Sequence, residues 1–196
     1  MTTITPKGGI ALSKRKLSSP TTLLGPVPSA LVSCGRAGGE KNIITLAWVG
    51  VVNSSPPMAS ISIRPSRHSH GIIKETGEFV INIPTADQVL VADRCGTVSG
   101  KKVDKFRQFN LTAIQGTLEH APLIEECPLN LECRVRQTIL LGSHEMFLGQ
   151  VEQVYLSGQL LNGRGRIGAH PEWLGYLGGQ YFSVKSLGLS LGYSLK

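Results

Sequence analysis

Glycine and proline punctuate this chain 23 and 11 times in 196 residues, so its apolar sequence is confined to short runs between turns. Long solvated helices do not survive such punctuation, whereas short strands do. The run Ala30-Leu31-Val32-Ser33-Cys34 reads as a first strand, ended by Gly35 and a Gly38-Gly39 turn. Ile43 to Asn53, rich in β-branched residues, reads as a second strand that Ser54-Ser55-Pro56-Pro57 must stop, because proline cannot continue a central ladder. Met58 to Arg64 alternates apolar and small polar residues, the signature of a half-buried strand. Pro65 breaks it. Ser69 is placed to cap a short helix from His70 to Thr76, closed by Gly77.

Glu78 to Ile83 gives another strand, Ala86 to Cys95 a helix with Val89, Leu90 and Ala92 on one side, and Val103 to Phe109 a second short helix. Leu129–Leu141 and Met146–Leu156 form a hairpin about Gly142-Ser143-His144-Glu145, and the tail from Gly178 carries no clear element. Long crossover helices and a GxGxxG turn after a strand are absent, which excludes a doubly wound nucleotide fold. The expected class is an all-β core with short helices, closed or nearly closed as an antiparallel barrel. Residues 1–20 read as an N-terminal extension, 21–160 as the barrel, and 161–196 as a C-terminal extension packed on the barrel or on a partner.

The formal charge of +7 suits an anionic partner. The basic residues are scattered and not interleaved with aromatics, so phosphate recognition at a few points fits better than a nucleic-acid track. No apolar stretch reaches the roughly twenty residues of a membrane span, and no export signal is visible, so a cytoplasmic location is expected. Cys34, Cys95, Cys127 and Cys133 form no CxxC pair and read as reduced, buried thiols with no metal site. No GxSxG elbow suggests covalent catalysis.

Four segments, in order, are similar to the flavin reductase-like family and particularly to its flavoredoxin-like members. They are Asn42 to Trp48 followed by Ser55-Pro56-Pro57; Ile63 to His70; Asp93 to Gly100 with Asp104-Lys105-Phe106; and Ala121 to Pro128 followed by Leu141-Gly142-Ser143-His144. The resemblance spans about residues 23 to 156. It implies a split β-barrel of Greek-key type, a homodimer, FMN held near the subunit interface, and NADH or NADPH as co-substrate.

A flavin requires a phosphate anchor, polar contacts at the ring edge and one open face. Backbone groups at Thr45, Leu46, Ala47 and Trp48 suit the ring edge, with the Thr45 hydroxyl adding a bond and Asn42 beside them; the same residues also suit a plain barrel strand with Trp48 in its core. Arg64, Arg67, Ser66, Ser69 and a helix beginning near His70 suit a phosphate; they equally describe a capped surface helix. Ser99, Gly100 and Lys101 resemble the family loop that closes over the flavin, while Asp104, Lys105 and Phe106 read as structural, an ion pair with Phe106 packed inside. His144 corresponds to a turn histidine that seats nicotinamide in the reductase branch, although Ser143 replaces an acidic residue often found there. Two further readings stand open: an electron carrier with tightly bound FMN that serves a protein acceptor without using nicotinamide, and a non-catalytic flavin- or haem-binding barrel.

Overall fold

The computed structural model describes residues 15–195, so the first fourteen residues of the expected N-terminal extension lie outside the described residues. Five strands come first: β1 (Val27–Pro28), β2 (Ala30–Gly35), β3 (Lys41–Leu46), β4 (Val49–Ser54) and β5 (Pro57–Ile63). Helix α1 (His68–Thr76) and strand β6 (Glu78–Ile83) follow, then α2 (Val89–Thr97) and the single turn α3 (Lys105–Gln108). The chain continues through β7 (Ala113–Ile114), β8 (Leu123–Ile124), β9 (Leu129–Leu140), β10 (Glu145–Leu156), β11 (Trp173–Leu177) and β12 (Gln180–Val184).

Seven strands form one antiparallel sheet in the order β3-β2-β6-β9-β10-β5-β4. Its two edges, β3 and β4, are consecutive in the chain and joined only by Ala47 and Trp48. The sequence reads Ile43 to Asn53 as one strand; here it is two. Periodicity cannot reveal that break, because both halves are β-branched and differ only in partner: β3 pairs with β2, and β4 with β5. The sheet therefore curls until its ends meet at this dipeptide, where Ser62 N donates to Trp48 O at 3.0 Å and carries the β4–β5 pairing one residue further.

Inside the curl lies a core that includes Val32, Ile61, Phe79, Cys133 and Phe147, into which α1 inserts Ile72 and Ile73. β2 is buried along its whole length because a second core, with Leu31, Ile43, Ala92, Cys95 and Phe106, covers its other face beneath α2 and α3. All four cysteines are free and buried.

Helix α1 ends at Gly77, whose φ of 69° is the left-handed conformation glycine adopts without strain. Its start differs from expectation. Ser69 is buried within the first turn, and Arg67 takes the N-cap position without a side-chain cap. On α2 the buried residues are Ala92 and Cys95, while Leu90 is exposed. The tail also differs: β11 and β12 form a hairpin through Gly178-Gly179, and β11 pairs with β1. No described helix is long and apolar enough to cross a membrane.

Candidate functional site

Where the two sheet edges meet, the strands diverge and leave a groove of about 420 Å³. Its floor is the β3–β4 junction, Thr45 to Trp48, and its sides come from the end of β5, the end of α2, the β9–β10 turn and the β11–β12 hairpin. A smaller niche of about 70 Å³ adjoins it and shares Ile44, Arg67 and Gly96 with it. The niche is ringed by polar groups: Asn42, Ser66, His68, Ser69, Ser99 and Lys105.

Lys105 is the residue that sequence reasoning missed. It is 3 % exposed, and its Nζ donates to the Ile43 and Cys95 carbonyls at 2.6 Å each. It makes no ion pair among the described residues, contrary to the expected pairing with Asp104. Asp104 instead caps α3, accepting from Arg107 N at 3.2 Å. Burial lowers the Lys105 pKa and the neighbouring Arg67 adds to that, so the niche favours an anion that would restore the charge. The available signal was local: a lysine beside Phe106, on the turn that buries both.

Asn42 crosses the niche to donate from Nδ2 to Ser69 Oγ at 2.8 Å, which leaves its buried Oδ1 without a partner. Gly100 closes over it so tightly that a Cβ there would stand 2.1 Å from that oxygen. A ligand hydroxyl or N–H is what such an orphaned acceptor requires.

Around the groove, Trp48 and His144 meet edge to face, ring centroids 4.2 Å apart. Partial burial and then the Arg64 charge lower the His144 pKa, so the imidazole is neutral at neutral pH. Its Nδ1 lies 2.8 Å from Ser143 Oγ. The Thr45 hydroxyl, expected to face a ligand, donates its hydrogen to the Ala92 carbonyl. The hairpin contributes Tyr176 and Tyr181, 5.7 Å apart. Tyr181 donates to Asp93 Oδ1 at 3.2 Å, and burial together with that carboxylate raises its pKa to about 12. A Gly-Gly pair between aromatic runs was the hairpin signal in the sequence.

Of the residues singled out from sequence, Thr45, Leu46, Ala47, Trp48, Arg64 and His144 line the groove. Asn42, Ser66, Ser69, Ser99 and Gly100 line the niche, and Arg67 borders both. Arg64 therefore stands beside His144 and away from the niche. Lys101 lines neither cavity. His70 also turns away: its Nε2 donates to Glu145 Oε2 at 2.7 Å in the protein interior.

A groove at the split of a curled seven-stranded sheet, with an adjoining niche that holds a buried lysine, defines the class as a small split barrel. The flavin reductase like domain family matches residues 25–185, and the chain belongs to that family. The fold is the FMN-binding split barrel. It superposes on the flavoredoxin of Desulfovibrio vulgaris (Miyazaki F) with a TM-score of 0.83 at 27% identity, over 93% of this chain and 100% of that one. For the flavoredoxin from Methanosarcina acetivorans the TM-score is 0.77 at 31% identity, over 93% and 100%. An NADH:riboflavin 5'-phosphate oxidoreductase of Streptomyces pristinaespiralis is 28% identical over 62% of this chain and 66% of its own length.

Proposed function

We propose that this chain binds FMN, seating the phosphate in the niche and the ring in the groove, and that NADH or NADPH reduces it there. The observation that carries this reading is the niche itself: a buried, carboxylate-free ammonium at Lys105, an arginine, serines and an unpartnered Asn42 oxygen, all adjoining an aromatic-walled groove. These residues fit the group. Lys105 and Arg67 neutralise the phosphate, Ser66, Ser69 and Ser99 offer hydroxyls, and Asn42 Oδ1 accepts from the sugar-like chain. Backbone groups from Thr45 to Trp48 meet the polar ring edge, and the tyrosines of the hairpin cover apolar surface. The flavin supplies the chemistry that accepts a hydride and passes electrons on. His144, neutral and packed on Trp48, borders the open face and aligns the nicotinamide without adding a positive charge.

Bound chromophore released by heat and weighed by mass spectrometry tests the cofactor; recovery of FAD alone, or no flavin after reconstitution, rejects it. Anaerobic mixing of the FMN-loaded protein with each nicotinamide tests the reductant. The likeness to two flavoredoxins supports a second reading, an electron carrier that serves a protein acceptor. A yellow protein that neither nicotinamide reduces selects it. We further propose a homodimer, because Leu140 and Leu141 beside the His144 turn, and Leu187, Leu189 and Leu191 in the tail, are exposed.

A further inference from the structure

Glu145, the first residue of β10, directly follows His144. It is 2 % exposed, its Oε2 accepts from His70 Nε2 at 2.7 Å, and Lys74 Nζ reaches its two oxygens at 3.2 and 3.1 Å. Both donors belong to α1, and the His70 ring packs edge-on against Phe147 with centroids 5.4 Å apart. Successive residues of one helical turn thus serve two places: Ser69 meets Asn42 in the niche, and His70 meets Glu145 behind the groove. Thr138 of β9 also hydrogen-bonds the Glu145 carboxylate, the ladder pairs Glu145 with Leu140 and Ile63, and His144 packs on Trp48. Leu141 N donates to His144 O at 2.8 Å, and Gly142 sits at a φ of 85°.

We propose that Glu145 is a positioning residue: clamped by His70 and Lys74, it holds the His144 turn at a set distance from the helix that anchors the phosphate. This rests on the reading of His144 as the group that aligns the nicotinamide. The clamp ties the niche, where one end of the cofactor is fixed, to the side chain that meets the second substrate. A displacement of about 1 Å at that side chain is enough to slow a hydride transfer.

The test uses the full-length chain in a Trp173→Phe background, so that Trp48 is the emitter. Indole emission depends on the ring packed against it, so His144→Ala sets the level of Trp48 without that contact, in the absence of flavin and nicotinamide. Glu145→Gln keeps the shape and removes the charge. It is expected to shift Trp48 emission toward the His144→Ala level and to slow reduction of bound flavin roughly tenfold, with FMN affinity preserved. In the His144→Ala background it should change neither quantity further, because residues acting through one another are not additive. His70→Gln, which retains a donor to Glu145, should keep most of the wild-type emission. Unchanged emission in Glu145→Gln, or additive effects in the double variant, overturns the proposal and leaves Glu145 a general stabiliser of the barrel. Should Glu145→Gln fail to fold, Lys74→Gln carries the same test, its side chain being 56 % exposed. If the emission cycle is non-additive but His144→Ala reduces flavin at the wild-type rate, the clamp stands and the nicotinamide reading of His144 falls.

Discussion

An ammonium as deeply buried as that of Lys105 must be compensated, and two carbonyl oxygens do so only in part: three N–H donors meet two acceptors, and the charge has no carboxylate. A phosphate supplies both missing elements. Lys105→Met should therefore weaken FMN roughly ten- to a hundredfold, the range of a lost charge-assisted bond, while riboflavin affinity changes little. Titration of both ligands by fluorescence quenching checks this, and equal losses would make Lys105 a fold residue. At the other end of the cavity, His144→Ala should leave FMN affinity nearly unchanged and slow flavin reduction about ten- to a hundredfold in stopped flow. Because burial and Arg64 lower its pKa, the imidazole stays neutral to more acidic pH than a free histidine, and any acid limb of the reduction rate that it causes should lie below the ordinary value of 6.5. The sequence made the niche and groove legible wherever chemistry sat in a contiguous string, as at Arg67 and Ser69. It could not show Lys105 pointing inward, since a four-residue helix has no period to read, nor that of Arg64 and Arg67, three residues apart across Pro65, only Arg67 reaches the niche.

At the scale of elements, the strands were legible because glycine and proline bound them. The β3–β4 break and the β11–β12 hairpin were not, since both depend on which distant strand supplies the partner. That break matters chemically. The barrel's two edges, β3 and β4, meet at Ala47 and Trp48 without pairing with each other, and the groove opens at the same place. The loop after α2 closes the niche by a steric fit and not by a hydrogen bond. Gly100 is the residue it requires, because a Cβ would drive into Asn42, with Oδ1 at 2.1 Å and Cγ at 2.5 Å. Gly100→Ala should force the loop outward and break the Asn42–Ser69 bond. FMN affinity should then fall by about tenfold or more, the order of one lost buried hydrogen bond with its partner left unsatisfied. Calorimetry of FMN binding measures it. Unchanged affinity would mean that the loop does not close on the ligand.

For the whole molecule, acid sensitivity should concentrate at the seam between α1 and β10. Burial raises the Glu145 pKa, but hydrogen bonds from His70, Lys74 and Thr138 outweigh it and hold the carboxyl below its ordinary value of 4.5. A depressed carboxyl contributes stability that is complete above the unfolded value and lost as pH falls through the folded one. Melting temperature should therefore drop below about pH 4.5 in the wild type and less steeply in Glu145→Gln. Assembly is the remaining question at this scale. The tail from Leu187 to Tyr193 alternates apolar with small residues, Leu187-Gly188-Leu189-Ser190-Leu191-Gly192-Tyr193, the pattern of a strand with one greasy face. Yet those leucines are solvent-facing, Leu191 fully so, and Val51 on the edge strand β4 is exposed as well. A monomer gains nothing from keeping such a segment in water, whereas a second copy offers an edge and apolar side chains to cover it. Light scattering should give about twice the 21.0 kDa chain mass at micromolar concentration. Removal of residues 186–196 should shift that toward the monomer while leaving the fold intact, because the tail contributes no strand to the seven-stranded sheet. A full-length protein that stays at the single-chain mass rejects the dimer, and a truncated one that remains dimeric moves the contact to Leu140 and Leu141 at the mouth of the groove.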